Sequence, residues 1–176
     1  MNFRVATLDD VPHLQKLIEH SARALGRNDY TEAQIEAALK GAWGVDTQLI
    51  RDQTYFVVES EGKLIACGGW SRRNTLFGSD AREGREPELL RPKKDAARIR
   101  AFFVHPEFAR KRVGRMLLER CEAAAKAEGF SAAELVATLP GVRLYAACGY
   151  DEIDRKEYPL DGAIQIEFVK MRKMPL

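Results

Sequence analysis

Cysteine is scarce in this chain, and Cys67, Cys121 and Cys148 are odd in number, widely separated and free of any C-x-x-C spacing. That argues against a disulfide framework or a zinc knuckle and fits a reducing compartment. No run reaches the about 18 consecutive apolar residues that a membrane span requires, and the N-terminal "MNFRVATLDD" lacks the apolar core of a signal peptide. A cytoplasmic protein without a membrane partner is therefore expected. Charge of one sign is lacking too: 28 Lys and Arg against 26 Asp and Glu leave a net +2. General affinity for nucleic acid has no basis in such a balance, so any anion site must be local. HExxH, GxSxG and P-loop patterns are absent, which removes the usual signals for a metalloprotease, serine hydrolase or NTPase, and no metal is expected. What is present, 176 residues of which 45% are hydrophobic and 31% charged, suits one domain over residues 1–176 with a sizeable core.

Periodicity supplies the element order. Residues 2–6 read as a strand, and Thr7 with Asp10 as a capping signal for a helix whose apolar face carries Val11, Leu14, Leu17, Ile18 and Leu25. Thr31 and Gln34 open a second helix with Ile35, Ala38, Leu39 and Ala42 as its stripe. "TYFVVESEGKLIACGGW" is two apolar runs around a glycine turn, a β-hairpin that belongs in the middle of a sheet. Residues 72–96 are charged and broken by Gly and Pro, an insertion rather than a linker. Residues 97–105 return to strand character before Pro106. Val113, Met116, Leu117, Cys121, Ala124 and Ala125 then mark one face of a helix that stops at Gly129. A strand at 132–138, a short helix at 140–148 and a hairpin of 150–158 with 163–171 complete the chain. The fold class is mixed α/β (α+β): a mostly antiparallel sheet flanked by helices, with one locally parallel pair around the crossover 97–138.

That crossover contains "VHPEFARKRVGRMLLERC", where Arg110, Lys111, Arg112 and Arg115 cluster at the start of a helix. A helix N-terminus exposes unpaired N–H groups and the positive end of the macrodipole, so it favours acidic residues. Cations there suggest either a solvated helix end or a missing anion such as a phosphate.

The strand, loop and helix together resemble the GCN5-related N-acetyltransferase (GNAT) family, in which a V-x-P turn leads into R/Q-x-x-G-x-G/A, whose amides hold the pyrophosphate of acetyl-coenzyme A. Laid on that pattern, Ala109 takes the R/Q position, Arg112 the first glycine and Gly114 the second. The family's N-x-x-A-x-x-L-Y segment is echoed by "TLPGVRLYAACGY", with Thr138 for Asn, Gly141 for Ala, and Leu144-Tyr145 matching. The hairpin and the two early helices fall where the family places them, so the resemblance spans nearly the whole chain.

The resemblance implies an N-acetyltransferase that moves acetyl from acetyl-coenzyme A to a primary amine by direct attack. Coenzyme A contacts are implied along Phe102, Phe103 and Val104, at Ala109, Arg110, Lys111, Arg112, Val113, Gly114 and Arg115, and at Thr138. A backbone N–H of the strand would stabilise the oxyanion, and Tyr145 would be the acid for the departing thiolate. Glu59, Asp95 and His105 are candidates for the base, although His105 would equally cap the turn before Pro106. Cys148 has no His or Asp pattern around it and reads as a small buried thiol. Arg98 and Arg100 alternate on one strand face, and a solvated outer face is the preferred reading over an acceptor pocket. Trp70, Tyr30 and the 72–96 insertion are further candidates to shape the acceptor site. Because Ala109, Arg112 and Thr138 depart from the pattern, the alternative is a degenerate acyl-coenzyme A sensor. The expected partner is a small-molecule or peptide amine, with a homodimer left open.

Overall fold

The computed structural model describes residues 1–82 and 88–176. Strand β1 (Asn2–Val5) leads to a 3-10 turn at Leu8–Asp10, where the expected capping box of Thr7 and Asp10 is formed, and then to α1 (Val11–Gly26). The second capping box, Thr31 with Gln34, starts α2 (Glu32–Leu39). A third helix that periodicity did not reveal, α3 (Thr47–Arg51), is capped by the Asp46 carboxylate, which accepts from the Gln48 N–H at 3.0 Å.

Strands β2 (Tyr55–Ser60), β3 (Lys63–Ser71) and β4 (Ala97–Val104) follow, then α4 (Val113–Ala127), β5 (Ala133–Thr138), α5 (Val142–Ala147), β6 (Asp151–Pro159) and β7 (Gln165–Lys173). They form a seven-stranded sheet in the order β1-β2-β3-β4-β5-β7-β6. Every pairing is antiparallel except β4 with β5, the crossover pair. One core packs α4 on β2, β3, β4 and β5 through Leu117, Leu118, Cys121, Ile99, Ala133 and Leu135. Another packs α1 and α3 on β2 and β3 through Leu14, Leu17, Ile18, Leu49 and Val57. Apolar residues fall on both faces of β2 because helices cover both.

Two expectations are corrected here. Met116 is 37% exposed, because Val113, Leu117, Leu118, Cys121 and Ala125 fill the buried stripe of α4 and leave it at the rim. The last strand lies at Gln165–Lys173 rather than 163–171, since Leu160 N–H and Ile164 O close the turn ahead of it. Within the 72–96 insertion, Asn74 N–H donates to Glu88 O and Leu90 N–H to Arg72 O, so its two ends run antiparallel. Residues 83–87 of it lie outside the described residues.

Candidate active site

Strands β4 and β5 are partners only at Ala97 with Ala133 and Arg98 with Glu134. Beyond that point β5 stays with β7 as far as Thr138 opposite Phe168, and β4 stays with β3. The sheet therefore opens into a wedge, and the edge of β4 from Ala101 to Val104 is only half-buried. A bulge shapes that edge: Cys67 faces Phe103 and Gly69 faces Arg100, so Ala101 and Phe102 together oppose Gly68. Ala101 takes a left-handed φ of 53°, and the buried Tyr55 hydroxyl donates to its carbonyl at 3.0 Å. A Cβ on Gly68 would lie 2.5 Å from the Phe102 ring, so only glycine lets that ring cross the strand. Such a bulge re-aims the strand edge. His105 N–H donates to Ile65 O on the β3 side. By the alternation of the ladder, Val104 N–H must point the other way, into the wedge, where it donates to Ser21 Oγ at 3.3 Å.

The wedge continues as a cleft of about 890 Å³ between β4, β5, α1, the segment 42–44, residues 76–78 and α5. At one end lies the turn Pro106–Phe108 followed by Arg110 at φ 61° and Arg112 at φ 64°, with Lys111 between them outside the left-handed region. Alternation of left-handed residues with one that is not is the pattern in which successive N–H groups face one concave side, which makes this turn a candidate anion cradle. Met116 N–H donates to Arg112 O, so the amides ahead of it belong to the open first turn of α4. Arg110, Arg112, Arg115 and Arg143 line the same end. The cations at the helix start thus border a cleft. Gly114 is needed for packing: a Cβ there would stand 3.1 Å from Leu144 Cδ2 and 3.6 Å from Val104 Cγ2.

Left-handed backbone costs an L-residue about 1 kcal/mol or more. Arg112→Gly is therefore expected to raise the unfolding free energy by about 0.5–1 kcal/mol, once the entropy glycine adds to the unfolded chain is subtracted. Denaturant unfolding measures this, and an unchanged or lower midpoint would show that the arginine side chain contributes more than its backbone costs.

Phe102, Phe103, Val104, Ala109, Arg110, Arg112, Gly114, Arg115, Thr138 and Tyr145 all line the cleft. Lys111 and Val113 do not: the Lys111 ammonium sits 5.3 Å over the Phe108 ring, and Val113 is a core residue, 1% exposed. Tyr145 on α5 is buried, and that burial pushes its phenol well above the usual range. Its ring meets Phe102 edge-on at 6.2 Å. A Cβ at Gly141 would be 3.3 Å from both Thr138 Oγ1 and the Tyr145 ring, so glycine keeps those two side chains close. Cys148 is half-buried at the end of α5 rather than buried as expected, and that partial burial still pushes its thiol up, away from a nucleophilic thiolate.

The three base candidates lie elsewhere. Glu59 pairs with Arg4 at 2.6 Å, Asp95 accepts from the Arg91 N–H, and His105 Nδ1 accepts from the Glu107 N–H, the capping role. Nor do Arg98 and Arg100 form a solvated face. Arg98 binds Glu134 at 2.7 Å and Asn74 Oδ1 at 2.8 Å. Arg100, 3% exposed, pairs with Asp46 at 2.8 Å and donates to the carbonyls of Thr75 and Gly78. Residues far along the chain cover that face, so alternation within the strand could not show the burial. Trp70 is buried against Phe130. The Tyr30 hydroxyl donates to Glu167 O and accepts from Leu139 N–H, tying the loop after α1 to β7 and to the turn before α5. Among the cleft residues, Ser21, Trp43 and Arg143 were missed, whereas Leu76, Phe77 and Gly78 come from the 72–96 insertion that was a candidate. Only Ser21 left a signal, as a hydroxyl on the apolar stripe of α1.

The pattern described as the Acetyltransferase (GNAT) family matches residues 14–150. The chain belongs to that family. GNAT structures share its fold over nearly its whole length. One is a GCN5-related N-acetyltransferase from Rhodopseudomonas palustris, at 18% identity and TM-score 0.72, over 98% of this chain and 94% of that one. Another is the PaiA N-acetyltransferase from Thermoplasma acidophilum in complex with coenzyme A, at 15% identity and TM-score 0.67, over 98% of each chain. A third is a ribosomal-protein-alanine N-acetyltransferase from Brucella melitensis, at 15% identity and TM-score 0.64, over 99% of each chain. No curated protein matches the chain significantly in sequence. Among the described residues no helix is long and apolar enough to cross a membrane.

Proposed function

We propose that the chain, residues 1–176 acting as one GNAT domain, is an N-acetyltransferase that uses acetyl-coenzyme A and acetylates a primary amine of a small molecule or peptide by direct attack. The observation that carries this reading is the wedge between β4 and β5 with an anion cradle at its mouth. The residues fit the group. Left-handed Arg110 and Arg112 would turn amides inward, Gly114 lets α4 pack closely on Leu144 of α5, and four arginines line the cleft. Arg110, Arg112, Arg115 and the amides of the first turn of α4 would hold the pyrophosphate. The β4 edge from Phe102 to Val104, with Thr138 across the wedge, would hold the pantetheine arm.

Acetyl-coenzyme A supplies, when bound, an acyl group activated as a thioester. The α1 segment and residues 42–44 and 76–78 wall the space from which an amine would approach. Tyr145 would protonate the leaving sulfur while the amine nitrogen gives its proton to water, which returns one to Tyr145. Water is the expected base because Asp29, exposed at the rim, is the one carboxylate among the described cleft residues.

Calorimetry with coenzyme A, alongside thiol release from acetyl-coenzyme A with a panel of amino acids, polyamines, aminoglycosides and peptide N-termini, tests the proposal. Gly114→Asp is expected to weaken coenzyme A binding about tenfold or more, since it puts a carboxylate in the first turn beside the cradle. Gly114→Ala should lose less, because it meets only the Leu144 contact. Equal affinity for wild type and Gly114→Asp would remove the turn from the site. Binding with no turnover across the panel would favour the acyl-coenzyme A sensor instead.

A further inference from the structure

We infer that the Ser21 hydroxyl is the hydrogen-bond donor to the thioester carbonyl oxygen in this cleft, an assignment that rests on the acetyl-coenzyme A reading above. Ser21 sits in the middle of α1 among the core residues Leu17, Ile18 and Ala22, only 4% exposed, yet it lines the cleft. A serine inside a helix usually donates back to the carbonyl four residues earlier. Here Oγ instead accepts the Val104 N–H at 3.3 Å, and its own proton goes to no acceptor among the described residues. A buried hydroxyl with an uncommitted proton is costly in a core unless a ligand takes it.

The position is chemically apt. Val104 N–H faces the wedge on the strand edge that would hold the acyl arm, and Ser21 already occupies its acceptor direction. The amide therefore acts through the serine. By donating to Oγ it polarises the hydroxyl and strengthens the bond that the hydroxyl can give. Ser21 keeps its proton throughout: it stabilises the charge that grows on oxygen as the C–N bond forms, and the charge returns as the C–S bond breaks. The proton delivered to sulfur comes from Tyr145, so the two hydroxyls divide the work, one at oxygen and one at sulfur.

The test compares wild type, Ser21→Ala and Ser21→Cys, the last nearly isosteric with a weaker donor. Calorimetry should show wild type binding acetyl-coenzyme A about two- to tenfold more tightly than coenzyme A, the size of one net hydrogen bond. Ser21→Ala should bind the two equally, with its coenzyme A affinity and thermal midpoint unchanged. Thiol release, with the best amine of the panel or with water as acceptor, should fall about tenfold or more in Ser21→Ala and less in Ser21→Cys. An affinity ratio near one in wild type, or the same ratio and rate in Ser21→Ala, overturns the assignment while coenzyme A binding stands. No coenzyme A binding by wild type overturns the site reading and this assignment with it.

Discussion

Replacing Tyr145 by phenylalanine is expected to lower kcat by about 10²- to 10⁴-fold, the range of a lost general acid, while coenzyme A affinity stays within a factor of about two. The phenol lines the cleft from α5, and Gly141 leaves room for its ring beside Thr138. No hydrogen bond contributes to its shift in acidity; burial does, and it raises the pKa. The sign matters. A phenol raised above its ordinary value of about 10 stays protonated throughout the working range, so the donor form is always present. Transfer to a thiolate of pKa near 8.5 is uphill and is completed only as water returns a proton to Tyr145. The rate should therefore not fall between about pH 8 and 10 through ionisation of Tyr145. Stability should hold or rise slightly in the variant, since no partner is left behind by the missing oxygen. Steady-state thiol release and a thermal melt together check this; an unaltered kcat would reduce Tyr145 to a packing ring between Phe102 and Tyr150.

Local chemistry made much of this fold legible. Both capping boxes formed where Thr7 and Thr31 announced them, and Gly129 and Gly149 end their helices with left-handed φ of 90° and 86°. The helix α3 escaped because five residues are too few to show a period; only its cap, Asp46, spoke for it. The bulge in β4 left a trace in its partner rather than in itself, since Gly68 is the residue that Phe102 must cross. In the cleft, the family pattern located the turn but not its conformation. The pattern has glycine where Arg112 stands because the backbone there is left-handed, a conformation that strains an arginine. Ser21 and Arg100 were harder to read because their partners are remote. Val104 lies 83 residues from Ser21, and Asp46 lies 54 from Arg100.

The Asp46 and Arg100 pair carries the other large effect. Both side chains are almost fully buried, at 3% and 2% exposed. Asp46→Ala would leave a guanidinium in the interior without its carboxylate, which costs about 3–5 kcal/mol, and would also remove the cap of α3, worth about 1 kcal/mol. Denaturant unfolding should show a loss in that range, and a loss under about 1 kcal/mol would mean that water or the neighbouring carbonyls satisfy Arg100 alone. The double variant Asp46→Leu with Arg100→Met should recover part of the loss, because an apolar pair of similar size needs no compensation. It should not recover all of it, since the carbonyls of Thr75 and Gly78 lose their donor. Those carbonyls belong to the segment that includes Leu76 and Phe77, which wall the cleft opposite the cradle. Loosening that wall should raise the amine KM more than it weakens coenzyme A, because the cradle is built on α4 and touches neither residue. A change of equal size in both constants would instead mean that the pair supports the whole wedge through β4.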